Sequence, residues 1–323
     1  MNTFATLLKR EFWEHQGGML WAPLAVGGLM LAVAFASILV GLVLGQGQFT
    51  FDIQGARTTL DGLAIPPEIQ AGIAASLALA TIPLMLPLAA VLAFVLLFYA
   101  LGSLYDERRD RSLLFWKSMP VSDTTTVLSK LVSMALIAPS ITVLVGAAVG
   151  SLIPLLAAIA MIGTGTDVLP TLLTTADFYL APLALLALVP VYALWALPSI
   201  AWCMVVSAWA RRAPVLWALG MPVLVGILLS WQQAIFDRNI GADWFWEHVV
   251  GRLFGGFVPG MWFVFTENRD SLDRILATEG SLLGLVGQSY VTLASPALWI
   301  GLIVATGLLV LAIRLRRWRE DAA

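Results

Sequence analysis

Few residues in this chain have the chemistry for catalysis, and their spacing removes most of what remains. The lysines are Lys9, Lys117 and Lys130, and none follows a glycine. No GxxxxGK[ST] run is present, so a nucleotide phosphate cannot be cradled by that loop. The two histidines, His15 and His248, are expected on opposite sides of a membrane, which sets aside a metal cluster and a Ser–His hydrolase. Cys203 is the single cysteine, so an internal disulfide is excluded, and its apolar setting fits a small core residue. No catalytic residue, no metal ligand and no nucleic-acid partner is expected.

What stands out instead is a charged, aromatic island, Tyr105–Lys130, reading YDERRDRSLLFWKSMPVSDTTTVLSK. No charged residue lies between Glu68 and Asp106, and none between Lys130 and Asp167. Glu107 and Arg111 are spaced i,i+4 for an ion pair on a helix. Leu113, Leu114, Phe115 and Trp116 follow, four apolar residues that a solvated loop does not need. Pro120 ends the piece, and Ser122 or Asp123 caps the next helix through a side-chain oxygen. The pattern predicts a short helix lying across a membrane face. Its apolar side either docks on a partner or lies flat in the inner leaflet.

The elements that position this island follow from composition. Hydrophobic residues make up 60% of the 323 and charged residues 12%, against about 25% charged in a soluble domain. Six stretches carry no charge: 15–51, 69–105, 131–166, 178–210, 213–236 and 280–313. Each exceeds the roughly 20 apolar residues that cross a bilayer as a helix, the form that satisfies the backbone within one segment. The chain is therefore read as an all-α integral membrane protein, one transmembrane domain over 1–323. Its six spans are expected near 19–45, 75–103, 127–158, 178–209, 214–235 and 290–313. Placing the N-terminus inside puts Lys9, Arg10, Arg108, Arg109, Arg111, Lys117, Lys130, Arg211, Arg212, Arg314, Arg316, Arg317 and Arg319 on the inner side. Only Arg57, Arg238, Arg252, Arg269 and Arg274 fall outside, so the positive-inside rule predicts cytoplasmic termini and a cytoplasmic 104–126 loop.

Residues 1–17 read as an amphipathic interfacial helix, with Phe4, Leu7, Leu8 and Phe12 on one face, or as a simple positive flank. No cleaved signal peptide is expected, because Lys9, Arg10, Glu11 and Glu14 precede the first apolar run. The outer region 236–289 contains the aromatic, glycine-broken piece 244–265, read as an interfacial or re-entrant hairpin with Trp244, Trp246 and Trp262 at headgroup level. Gly41–Gly45 and Gly146–Gly150 permit close helix approach, either in a dimer or within one subunit. The spans themselves are read as free of charge. That argues against a carboxylate proton relay or ion site, so any driving energy is expected to enter from outside the chain.

The run ERRDRSLLFWKSMPVSDTTTVLSK resembles the first cytoplasmic loop of ABC-2 type transporter permeases, and FATLLKREFWEHQGGMLWAP resembles the start of that family. The layout of six spans also matches along the whole chain. The resemblance implies an interfacial connecting helix at 2–16 and a coupling helix at about 110–120 that docks on a separate ATP-binding subunit. On that reading Glu107, Arg111, Leu114, Phe115, Trp116, Lys117 and Pro120 carry the docking, and Arg211 and Arg212 form a second inner contact or a positive anchor. ATP and Mg would be bound by the partner, with none in this chain, which itself is not an enzyme. The resemblance further implies a second permease copy or homologue, contact with membrane lipid, and an address in the bacterial inner membrane. The cargo would be hydrophobic or amphipathic. The family often has Gly-Thr where this chain has Arg111-Ser112, a departure at the start of the coupling helix. A facilitative channel, or a sensor whose loop recruits a partner, remains the rival reading.

Overall fold

A computed structural model describes residues 3–43, 50–53, 56–59, 66–110, 121–162, 167–236, 241–266 and 282–318. Among them the elements are almost all helical: α1 (Thr3–Glu14), α2 (Ala22–Val43), α3 (Pro67–Leu79), α4 (Thr81–Gly102), α5 (Tyr105–Arg109), α6 (Asp123–Val132), α7 (Ala138–Ile162), α8 (Leu169–Thr174), α9 (Ala176–Trp209) and α10 (Pro214–Phe236). Then come α11 (Ala242–Phe245), α12 (Gly251–Gly255), α13 (Trp262–Phe265), α14 (Leu282–Val291) and α15 (Pro296–Trp318). The exception is a small antiparallel hairpin, β1 (Thr50–Ile53) and β2 (Ala56–Thr59), with Thr50 opposite Thr59.

Six helical stretches are long and apolar enough to cross a membrane: Gly17–Val43, Pro67–Arg109, Asp123–Ile162, Ala176–Trp209, Pro214–Phe236 and Pro296–Trp318. The expected count of six holds, with two shifts. The second stretch begins earlier, at α3, and bends at Ala80 just ahead of Pro83, which has no N–H to give the preceding turn. The last begins at Pro296 rather than near 290. Ser295 is extended (ψ 131), as a residue before proline prefers, so α14 and a short 3-10 turn stay separate from α15.

Proline also explains two local widenings. The π turns Gly17–Trp21 and Ser133–Ile137 lie directly before Pro23 and Pro139. A looser turn accommodates the proline ring and the missing donor without ending the helix. By contrast α9 runs 34 residues through Pro182, Pro190 and Pro198.

α9 is the centre of the bundle. Its Tyr192, Trp195, Ala196, Ile200, Cys203 and Met204 are buried, in one apolar cluster with Leu92, Leu96 and Leu101 of α4 and Leu298 and Ala312 of α15. Gly146 and Gly150 of α7 face α4: a Cβ on Gly146 would overlap Met85, and Thr81 donates to the Gly150 carbonyl at 2.9 Å. Of the two roles open to that glycine pair, this is packing within the subunit. The connection between α7 and α9 contains α8, whose Leu172 joins a second apolar cluster with Ile73, Ala78 and Met161.

The 244–265 piece is helical and folded onto the bundle. α11, a π turn (Trp246–Val250) and α12 run on from one another, and a turn at Gly260 (φ 91°) leads into α13. Trp262 corrects an expectation: it is buried, and its indole donates to Ser289 at 3.2 Å, so it is a core residue and not a headgroup anchor. Trp244 is exposed, and Trp246 lies over Gly226 of α10.

Candidate functional site

One end of the bundle gathers charge that the sequence spreads over 300 residues. Glu11 on α1, Glu107 on α5, Lys130 on α6 and Arg316 on α15 are all buried there. Lys130 Nζ stands 3.0 Å from Glu11 Oε1 and 3.1 Å from Glu107 Oε1. Arg316 continues the chain, 2.9 Å from Glu107 Oε2 through Nη2 and 2.6 Å from Asp123 Oδ1 through Nη1. The Tyr99 hydroxyl donates to Glu11 Oε2 at 2.7 Å, and the His15 ring packs on Tyr99 at 4.2 Å between centroids. Three carboxylates thus alternate with two cations. Each of these five charges faces an opposite one, which is the condition for keeping charge out of water.

A second set of bonds fixes the neighbouring turn. Ser207 of α9 accepts from the backbone N–H groups of Leu104 and Tyr105 at 3.0 and 2.9 Å. Arg108 Nη2 donates to the carbonyls of Ser207 and Ala210. On the far side of the 111–120 segment, Ser122 caps α6: its hydroxyl accepts from Thr125 N–H at 3.1 Å. The first flank of that segment is therefore held by buried polar contacts and the second by an exposed helix cap.

The expected site residues divide into three groups. Arg111, Leu114, Phe115, Trp116, Lys117 and Pro120 lie outside the described residues. Arg211 and Arg212 are exposed, in the turn between α9 and α10, next to the Ala210 carbonyl that Arg108 holds. On α1, Leu7 is buried and Phe4, Leu8 and Phe12 are half-buried.

Two expectations need correction. Glu107 was expected on a docking surface. It is 7% exposed, and its carboxylate is directed at Lys130 and Arg316, so it holds helix ends together from within. The long helices were also expected to be free of charge. Glu107, Lys130 and Arg316 fall inside three of the six long apolar stretches, because those helices run on past their charge-free centres and pack against one another at their ends. The signal for Glu11 lay in the sequence. It falls four residues after Leu7, on the apolar face of α1, where an acid needs a buried partner.

Away from this network one further cation is half-buried. Arg252 of α12 lies between α9 and α15. Its Nη1 donates to the Ala297 carbonyl at 2.6 Å, its guanidinium carbon is 5.0 Å from the centre of the Trp195 ring, and its own carbonyl accepts from Ser199 at 3.1 Å. Burial alone lowers its pKa from the ordinary arginine value, with no acid acting against that shift.

Six long apolar helices with charge confined to their ends define a multi-pass membrane protein. No known family model matches this chain, and no curated protein or solved structure matches it.

Proposed function

We propose that this chain is the membrane-spanning subunit of an ABC-2 type exporter, with both termini and the 104–126 loop on the cytoplasmic side of the inner membrane. The observation that carries the reading is the ion network around Glu107. It ties both flanks of residues 111–120 to α1 and α15, and Ser207 and Ala210 tie the first flank to α9. A separate ATP-binding subunit that moves 111–120 therefore acts on several helices at once. Leu114, Phe115 and Trp116 form the apolar side that docks, Arg111, Lys117 and Pro120 shape its ends, and exposed Arg211 and Arg212 make the second contact. ATP and Mg²⁺ bind to the partner.

Two copies, or one copy and a homologue, pair around the transport path, since membrane assemblies favour closed symmetry. The bundle centre is apolar and aromatic, which suits a hydrophobic or amphipathic cargo better than a free ion or sugar. The 242–265 hairpin faces the outer side.

Capture of the chain from its host in mild detergent tests this reading. The expected result is a stoichiometric P-loop subunit with vanadate-sensitive ATP hydrolysis. Trp116→Asp is expected to abolish that hydrolysis in the eluate while leaving the thermal unfolding midpoint unchanged. A chain that purifies alone and shows no hydrolysis in detergents and in lipid nanodiscs overturns the proposal in favour of a channel or sensor.

A further inference from the structure

Arg252 is a cation with too few partners. Nη1 has the Ala297 carbonyl, and the face of the guanidinium has Trp195. Nε and Nη2 are shielded from solvent and meet no acceptor. Among the described residues no carboxylate forms an ion pair with it. Gly301 of α15 makes room for it, because a Cβ there would overlap Nη2. Arg252 is half-buried, and the two shielded donors without acceptors carry a desolvation cost; charged residues set among membrane helices often mark ligand or ion sites.

The two empty donors are a matched pair. Nε–H and Nη2–H point the same way along one edge of the planar guanidinium, at the spacing of two oxygens of a carboxylate or phosphate. A cavity of about 20 Å³ adjoins Arg252, lined by Glu247, His248, Val264, Phe265 and Ala297; Nε and Nη2 are shielded from it, so a ligand reaching them must displace side chains. The cavity has room for one water, which can accept a hydrogen bond but brings no negative charge. The rim is formed by the exposed Glu247 and half-buried His248, so widening the cavity asks for side-chain movement and not for a change of fold. Val264, Phe265 and Trp195 supply apolar surface beside the charge.

We propose that Arg252 is a binding site for an oxyanion, carboxylate or phosphate, borne on an apolar body. The anion completes the guanidinium edge and the apolar body lies along Phe265 and Val264. Glu247 stands at the entrance as a like charge that the ligand must displace. As a statement about cargo this rests on the exporter reading above; as a statement about binding it does not.

The test uses the full chain in phosphatidylcholine nanodiscs, titrated with dodecyl phosphate by calorimetry. Saturable binding is expected, with none for dodecyltrimethylammonium. Arg252→Gln weakens it about tenfold or more, the scale of one bidentate charged contact. Arg252→Lys, a point charge without the fork, falls between the two, and Glu247→Gln tightens binding. Without ligand, Arg252→Met unfolds at the same or a higher temperature than the parent, and dodecyl phosphate no longer raises that temperature.

Two results overturn the proposal. One is the absence of saturable binding, or equal binding by parent and Arg252→Gln. The other is an Arg252→Met variant that melts lower and still responds to ligand, which makes the arginine structural. Repeating the titration in phosphatidylglycerol nanodiscs separates the sources of the anion. Weakened dodecyl phosphate binding there makes a lipid headgroup the occupant, and unchanged binding makes it a free amphiphile; either supports the site. Binding that persists when no ATPase partner is captured leaves the site standing and removes only the exporter reading.

Discussion

The Glu107 end and the Arg252 end of this molecule bury charge in opposite ways. At the first, Lys130 and Arg316 each touch two carboxylates, and their side chains are no more than 4% exposed. At the second, Arg252 touches a carbonyl, a tryptophan face and the backbone of a glycine. Burial is deeper at the first and costs more there, but it is offset by opposite charge within the chain; half-buried Arg252 has no such offset among the described residues. Compensated charge works as a clamp, holding helices whose apolar sides alone, being as oily as lipid, specify no unique contact. Uncompensated charge is unstable until something else supplies the partner.

The largest break in that comparison is Lys130→Met. It leaves Glu11 and Glu107 facing each other in a buried site without their shared cation. Stranding one partner of a buried pair costs about 3–5 kcal/mol. The variant is expected to lose most of its folded yield, read by size-exclusion and thermal unfolding in detergent, while Arg252→Met keeps its yield. A variant at position 130 as stable as the parent would remove the clamp.

Tyr99→Phe is a finer probe of the same clamp. It deletes the 2.7 Å hydrogen bond to Glu11 and the hydroxyl's contact with Ser133. A hydrogen bond to a charged group contributes about 1.5–3 kcal/mol, so the unfolding midpoint is expected to drop clearly but the fold to survive. If the midpoint stays put, Glu11 is held by Lys130 alone.

Gly301→Ala sharpens the other side. Its new methyl lands on the Arg252 guanidinium, and overpacking of that kind costs about 1–3 kcal/mol. Since the obstructing atoms belong to a long side chain, the loss is expected to vanish in an Arg252→Ala background. A double-mutant cycle measures this, and simple additivity would mean that the glycine matters for another reason.

Much of the frame was legible from local pattern. Long charge-free stretches announced six helices, and the cap before α6 was narrowed to Ser122 or Asp123, of which the structure uses Ser122. The misreadings share a cause. Glu107 was given a docking role by the family resemblance, within a charged run whose Asp106, Arg109 and Asp110 are indeed exposed. Trp262 looked like an interfacial anchor because it sits among aromatics. In both cases the surroundings came from elsewhere in the chain.

The sequence by itself determined the class of molecule, the number of long apolar helices and the placing of charge near their ends. Hydropathy and helix signals act over one turn to one span, so one dimension is enough to read them. Tertiary structure alone decided which charges meet. Glu11 and Lys130 are 119 residues apart, Glu107 and Arg316 are 209 apart, and Arg252 reaches Ala297 across 45. Whether a buried charge finds an opposite one depends on how helices pack around α9, and that contact geometry is written in no local pattern.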